Sequence, residues 1–511
     1  MSYKPLVNVR NLSLTCLDKV LIEKISFSVG RGEVVALIGA NGSGKTTLLN
    51  LLHGTITDPR QFLTDSDIRY RGEMIYTEHI ALTYLPQKIK NRAKIIASNE
   101  EPETFRIYDR LADSFALAGE SEPSTQLSDG ELQKRAIIAA LMSGADLFFW
   151  DEPTNYLDIA GITAFEEQLE HLRRRGCGHL VVSHDRTLIN NLADRTIYLT
   201  PNGVFQTEGG FSAAWSLAKT AYEARRKSAG IIRDKLRKLQ TEMRNRLNWA
   251  AQKEKSKIGA GKEKPHIASI SAKMAARAKA AQRKAEKEME RLSKTKPFVP
   301  KKVALPEVGY PVRHREVFAL GEVSFAYRSS EYLLQNITLA AGTQDKLCLM
   351  GANGAGKSTL LKVILGQLAP LHGVRRLNER VKLRYLPQGL TGFFPKTTLL
   401  ENFTDVGCDE TMVRSYLGGV LLRGDKVTEA VTNFSQGELV RAAIVKCLME
   451  KTEFLLLDEP TSHLDIESVE VLEQLLTGFA GGYLIISHDR TFVENIADCL
   501  YMLEDGQLRL V

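Results

Sequence analysis

Five short motifs occur twice in this chain, in the same order and at nearly the same spacing. GANGSGKTT at Gly39 returns as GANGAGKST at Gly351, and TYLPQ ending at Gln87 returns as RYLPQ ending at Gln388. LSDGE at Leu127 returns as FSQGE at Phe434, FFWDEPTNYLD around Asp151 as LLLDEPTSHLD around Asp458, and VVSHDRT at His184 as IISHDRT at His488. The offsets all lie between 301 and 312 residues, so the copies are in register and imply two homologous domains. These are placed at 1–209 and 315–511, with a segment of different character over 210–314.

In each half an apolar stretch, EVVALIG or KLCLMG, runs into a glycine-rich loop and then a helix-like stretch. Strand, phosphate loop and helix in that order imply an α/β fold with a mostly parallel core, two P-loop domains in tandem. The loop motif GxxxxGK[ST] supplies Gly39, Asn41, Gly42, Ser43, Gly44, Lys45 and Thr46, then Thr47, in the first half. The second half supplies Gly351, Asn353, Gly354, Ala355, Gly356, Lys357 and Ser358, then Thr359. Its glycines let backbone N–H groups close around phosphates at a helix N-terminus, the lysines neutralise the β and γ oxygens, and Thr46 and Ser358 hold Mg²⁺.

Asp151 and Asp458 each end an apolar strand, where a carboxylate reaches the magnesium shell. Glu152 and Glu459 follow directly, placed to polarise an attacking water, because phosphoryl transfer depends on positioning more than on covalent chemistry. Gln87 and Gln388 are candidates for contact with metal or water, and His184 and His488 for the γ-phosphate. ATP and Mg²⁺ are the cofactors these residues imply, and hydrolysis to ADP and phosphate is the reaction.

Charge is distributed unevenly. The chain carries +7 overall, yet 211–297 holds 24 Lys and Arg against 8 Asp and Glu, leaving −9 for the remainder. Ile232, Leu236, Leu239, Met243 and Leu247 form one apolar stripe at helical spacing, and Ile267, Ile270, Met274, Ala278, Ala281, Ala285, Met289 and Leu292 form another. Gly259, Gly261 and Pro265 break the pattern between them. Two antiparallel helices over about 211–257 and 267–294 are expected, joined by a tip near 256–266. Lys253, Lys255, Lys257, Lys262, Lys264 and His266 ring that tip, with Trp249 beside it, a combination of backbone charge contacts and stacking that suits RNA. The competing readings are a solvated coiled-coil face for the charges and packing between the helices for Trp249.

The longest strictly apolar run, Ala136 to Met142, is far short of the roughly 20 residues that span a bilayer. The start, MSYKPLVNVR, lacks the apolar core of a secretory signal. A cytoplasmic protein without a membrane partner is therefore expected. Six scattered cysteines with no C-x-x-C pair disfavour a zinc site and a disulfide framework.

With these motifs the chain resembles the ATP-binding-cassette ATPases, LSDGE and FSQGE standing for the family's LSGGQ. The resemblance implies that each ATP is sandwiched between the phosphate loop of one half and the signature of the other. Ser435 and Gly437 would then complete the first site, and Ser128 and Gly130 the second. A monomer suffices, because two cassettes on one chain can close their own sandwich. The resemblance also implies an aromatic upstream of the loop to stack adenine. Tyr327 takes that place in the second half, whereas LTCLDKV in the first offers only Cys16 near it.

Two cassettes, no membrane domain and a basic hairpin between them resemble the ABC-F group, and EPTNYLD and EPTSHLD are close to its EPTNHLD string, with Tyr156 and Ser462 as departures. That resemblance implies a ribosome partner, both rRNA and P-site tRNA, with binding near the tRNA exit site and a linker reaching the peptidyl transferase centre. Two roles are open, a general translation factor and a protection protein that dislodges antibiotics. Leu127 follows Gln87 by only 40 positions, which leaves no room for the inserted arm of several general factors, and no long extension follows the second half. Both features lean toward protection. The tandem ATPase subunit of a membrane importer and a DNA-repair ATPase are the readings from other classes.

Overall fold

A computed structural model describes residues 5–16, 19–57, 68–87, 102–117, 129–200, 203–224, 315–328, 331–390, 392–420, 422–462 and 464–511, with isolated positions between 227 and 313. The chain forms two compact units. Met1–Ala214 together with Lys302–Val511 make one, which holds both repeats, and Trp215–Lys301 make the other. A helix covers 211–224. The rest of the expected hairpin, including Trp249, Lys253, Lys255, Lys257, Lys262, Lys264 and His266, lies outside the described residues apart from isolated positions.

The first repeat contains β1 (Val7–Cys16), β2 (Lys19–Val29), β3 (Val34–Gly39), β4 (Ile68–Tyr76), β5 (Leu82–Leu85), β6 (Leu147–Asp151), β7 (Gly178–Val182), β8 (Arg195–Thr200) and β9 (Gly203–Glu208). The second contains β10 (Glu316–Phe325), β11 (Leu334–Gly342), β12 (Lys346–Gly351), β13 (His372–Leu377), β14 (Leu383–Leu386), β15 (Phe454–Asp458), β16 (Gly482–Ile486), β17 (Cys499–Glu504) and β18 (Gln507–Leu510). Each repeat builds the same pair of sheets. The larger runs β5-β6-β7-β3-β8-β9, or β14-β15-β16-β12-β17-β18, parallel except for its last strand. The smaller is antiparallel, β2-β1-β4 or β11-β10-β13.

Sequence pattern accounts for both. VVALIG, LFFWD and GHLVV are buried at every position, as are FLLLD and GYLII in the second repeat, and strands apolar on both faces belong inside a parallel sheet covered on each side. In β11, by contrast, buried and exposed positions alternate over much of the strand, so one face packs and the other meets water. The inward face of β1 and β2 joins Leu48, Leu49, Leu51 and Leu52 of the helix Lys45–Thr57 in a single core. β10 and β11 do the same over Leu360, Leu361, Val363 and Ile364. The phosphate-loop helix is thereby clamped between two sheets. The antiparallel sheet was not legible in the motifs, because it carries none of them.

β3 lies between β7 and β8 in the sheet but far from both in sequence. Such a switch in strand order opens a crevice at the carboxyl ends of the strands. The phosphate loop leaves β3 there, Asp151 ends β6, and His184 follows β7.

Candidate active site

One cavity of about 1650 Å³ runs along the carboxyl ends of both parallel sheets and is lined from both repeats. From the first come Asn41, Gly42, Gly44, Lys45, Thr46, Thr47, Gln87, Asp151, Glu152 and His184, and from the second Tyr327, Asn353, Gly354, Gly356, Lys357, Ser358, Thr359, Gln388, Asp458, Glu459 and His488. Gly39, Ser43, Gly351 and Ala355 shape the loops from behind. A Cβ on Gly39 would sit 2.6 Å from the Leu199 carbonyl oxygen, and one on Gly351 would strike that of Leu503, so only glycine lets each loop leave its strand. Ser43 N–H donates to Ala40 O at 3.1 Å and Ala355 N–H to Ala352 O at 3.2 Å, which closes the turns.

Lys45 Nζ donates to Gly39 O (2.6 Å) and Ala40 O (3.2 Å), and Lys357 Nζ to Gly351 O and Ala352 O (both 2.8 Å). Each ammonium is thereby folded back onto the carbonyl oxygens at the start of its own loop. Burial lowers the pKa of both lysines, against the pull of Glu152 and Glu459. Ser358 Oγ donates to Asp458 Oδ1 at 3.2 Å. Hydroxyl, carboxylate and the amide oxygens of Gln87 or Gln388 are hard oxygen donors, the set that suits Mg²⁺ when substrate oxygens and waters complete the shell. Among the described residues there is no cluster of three or more His, Cys, Asp or Glu placed to hold a metal.

Glu152 and Glu459 sit just past their strands with φ of 53° and 50°, a left-handed conformation that costs a non-glycine residue about 1–3 kcal/mol. The bend turns each carboxylate into the cavity. His184 Nε2 lies 3.3 Å from Glu152 Oε1, and His488 Nε2 lies 3.2 Å from Glu459 Oε1. Burial dominates both pairs. It pushes the carboxyls up to about 7 and about 8 and the imidazoles down to about 3 and about 4, so the histidines are neutral at physiological pH. A carboxyl whose basicity burial raises, set in the cavity beside a phosphate loop, is placed to orient a water.

Two further sets complete the site. Asp158 and Asp465, the last residues of the repeated EPTNYLD and EPTSHLD strings, cap the helices Ile159–Arg174 and Ile466–Thr477 with Oδ1. Their other oxygens cross to the opposite repeat, Asp158 Oδ2 accepting from Asn353 N–H at 3.1 Å and Asp465 Oδ2 from Asn41 N–H at 2.9 Å. Asn353 Nδ2 also donates to Tyr156 O at 2.8 Å. Tyr84 OH donates to Asp151 Oδ2 at 3.4 Å and Tyr385 OH to Asp458 Oδ2 at 3.3 Å, which orients the strand-end carboxylates. All four residues stood inside the repeated strings, and that recurrence was the signal that could have singled them out.

The signatures are placed differently. Gly130 lines the cavity, and a Cβ there would come 3.3 Å from Asn353 Nδ2 and 2.9 Å from Tyr156 O, against the second phosphate loop. Ser128 lies outside the described residues. Ser435 caps the helix Gln436–Met449 in a reciprocal box with Glu438, and a Cβ on Gly437 would meet Ser468 Oγ. Tyr327 is 63% exposed at the cavity rim, edge-on to Phe325 with its hydroxyl 3.1 Å from Thr359 Oγ1. Cys16 and Lys19 occupy the matching rim of the first site.

The ABC transporter family model matches residues 22–155 and 334–462, once in each repeat. The chain therefore belongs to the ABC transporter family, as a tandem pair of its ATPase domains. It is 27% identical to mouse ATP-binding cassette sub-family F member 3 over 99% of this chain and 72% of that protein. It is 26% identical to the ATP-binding protein Uup of Buchnera aphidicola over 98% of this chain and 81% of that one. Within the family these similarities group it with the ABC-F proteins, and it is an ATPase. Among solved structures, an archaeal ribosome recycling factor, aABCE1, in complex with ribosomal stalk protein aP1, shares the fold with a TM-score of 0.62 and 19% identity, covering 98% of this chain and 89% of that one. RNase-L Inhibitor does so with a TM-score of 0.59 and 20% identity, covering 97% and 89%. No helix among the described residues is long and apolar enough to cross a membrane.

Proposed function

We propose that this ATPase acts on the ribosome in the cytoplasm, as a monomer that closes around two ATP molecules and thereby fixes its basic linker against RNA. The observation that carries the proposal is the +16 segment over 211–297, inserted between two cassettes whose ATP sites are each built from both halves. Closing and opening those sites is the motion ATP controls, and a segment rooted in both halves is placed to respond to it. Two structural neighbours support the reading, one a ribosome recycling factor and one from ribosome-bound archaeal Pelota and ABCE1.

In each site Thr46 or Ser358, Asp151 or Asp458, and Gln87 or Gln388 would hold Mg²⁺, which neutralises phosphate charge when bound. Lys45 and Lys357 hold phosphate oxygens, Glu152 and Glu459 orient water, and His184 and His488 stand on the γ-phosphate side. Ser435 and Gly437 close the first site, Ser128 and Gly130 the second, and Tyr327 stacks adenine in the second. At the linker tip Lys253, Lys255, Lys257, Lys262, Lys264 and His266 contact rRNA and P-site tRNA near the peptidyl transferase centre, with Trp249 as a stacking surface. The short spacing between Gln87 and Leu127 favours ribosomal protection against antibiotics over a general translation role.

The test is ribosome pelleting with the Glu152→Gln, Glu459→Gln double variant, with and without ATP at moderate salt. ATP-dependent pelleting is expected. A variant that binds ATP but stays in the supernatant would remove the ribosome reading and bring the importer reading forward. Drug susceptibility of cells expressing the intact chain then separates protection from general translation.

A further inference from the structure

Duplication makes each half a control for the other. β8 pairs with β3 so that Tyr198 lies beside Ile38, and β17 pairs with β12 so that Met502 lies beside Met350. Ile38 and Met350 each precede the first glycine of their phosphate loop, so Tyr198 and Met502 hold equivalent places. Glu467 stands two residues after Asp465, as Ala160 stands two residues after Asp158.

Tyr198 OH donates across the interface to Glu467 Oε1 at 2.8 Å. The tyrosine is 2% exposed, whereas Met502 is half-buried and Ala160 exposed. Alanine has no side-chain polar group and a thioether is a weak acceptor, so the second site has no counterpart to this bond. Glu467 lies in the first turn of the helix that Asp465 caps, and Asp465 takes the N–H of Asn41 in the first phosphate loop. Tyr198, Glu467, Asp465 and Asn41 therefore form a chain that begins and ends on the first half and passes through the second. The same helix carries Glu473, which Arg186 of the first half grips at 2.6 Å.

We propose that Tyr198 and Glu467 are positioning residues of the first ATP site. Their partly buried hydrogen bond fixes the N-terminus of the helix Ile466–Thr477, and with it Asp465 against Asn41, so that the first site releases nucleotide more slowly than the second. Removing the hydroxyl alone leaves a half-buried carboxylate oxygen short of its donor, a loss in the range of a hydrogen bond to a charged group. No ribosome is needed for the effect.

The double variant Glu152→Gln, Glu459→Gln, loaded with a fluorescent ATP analogue and chased with excess ATP, should release label in two phases. Lys45→Ala should remove the slow phase, and Lys357→Ala the fast one. Adding Tyr198→Phe should speed the slow phase about five- to tenfold. Glu467→Ala should do the same, and the two together should do no more than either alone, because they share one interaction. Transplanting the pair, as Ala160→Glu with Met502→Tyr, should slow the fast phase. Release in a single phase, loss of the slow phase on Lys357→Ala, or a slow phase indifferent to both Tyr198→Phe and Glu467→Ala would each overturn the assignment. Phenylalanine fills the same space as tyrosine, and an unchanged thermal transition identifies variants that remain folded.

Discussion

At the first candidate ATP site and at the second, the loop lysine and the glutamate–histidine pair bond in nearly the same way. The lysine reaches its own loop at 2.6 or 2.8 Å, and the histidine lies 3.3 or 3.2 Å from its glutamate. What differs is how each half grips the other. Arg186 is 4% exposed and engages Glu473 at 2.6 Å and Asp489 at 3.5 Å. Its counterpart Arg490 is half-buried, reaching Glu166 only at 3.8 Å and Thr163 Oγ1 at 3.0 Å. The rims differ too, Tyr327 at one and Cys16 with Lys19 at the other. The loop lysines and the glutamate–histidine pairs thus keep one pattern in both copies, while the contacts between the halves and the two rims differ.

The interface contrast predicts the largest effect. Arg186→Ala takes a buried guanidinium away from Glu473 and Asp489, which are themselves half-buried and keep Asn495 and Phe492 as donors, so the loss should be that of a charged hydrogen bond, about 1.5–3 kcal/mol. Arg490→Ala removes a longer, better solvated contact, worth about 1 kcal/mol or less. Urea unfolding of the two variants side by side checks the ranking. Equal losses would mean that the two seams are equivalent and that the difference in burial carries no energy.

The rim contrast comes next. Tyr327→Ala should weaken ATP binding at the second site by about 1–3 kcal/mol, the range for base stacking on an aromatic ring, and so by about five- to 150-fold. Measured in the Lys45→Ala background, where only the second site binds, the change should be large. In the Lys357→Ala background, where only the first site binds, Tyr327→Ala should change affinity far less. A similar loss in both backgrounds would place Tyr327 in the packing of the fold through Phe325 and Thr359 instead.

Much of this was legible in the sequence, and for a physical reason. Phosphate binding needs backbone N–H groups, a lysine and a hydroxyl at fixed offsets, so Gly39–Thr46 and Gly351–Ser358 show in any reading, and the strands around them show as continuous apolar runs. Asp158 and Asp465 were harder to read, because an aspartate before a helix serves as an ordinary cap, and only the fold reveals that its second oxygen crosses to the other half. Tyr198 and Glu467 left no trace at all. They are 269 residues apart, and neither belongs to a repeated motif. Contacts created by folding two copies together have no local signature, whereas contacts with a ligand of fixed shape do.

A last difference lies beneath the first site. His179 on β7 is fully buried, stacked on Phe148 and accepting from Trp150 Nε1 at 3.2 Å through Nδ1. The matching residue on β16 is Tyr483, whose hydroxyl donates to Ile496 O at 2.6 Å. Both face the same place in the sheet, beside Val34 and Lys346 respectively. Burial lowers the His179 imidazole from its ordinary 6.5 to about 3, and Arg173 adds to the shift. Between those two values the unfolded chain binds a proton that the folded chain refuses, so stability rises with pH across the window and is lost on acidification from about 6.5 toward 3. One such group contributes about 1 kcal/mol per pH unit there. His184 and His488 act in the same direction, so acid sensitivity is not His179's alone. The discriminating quantity is the slope. Urea unfolding of His179→Phe between pH 6 and pH 5 should give a stability that falls less steeply than the parent's by close to one proton, whatever constant offset the lost Trp150 bond introduces. An unchanged slope would mean that His179 takes up its proton without unfolding, and that the first cassette is no more acid-sensitive at this position than the second, where a tyrosine cannot titrate in that range.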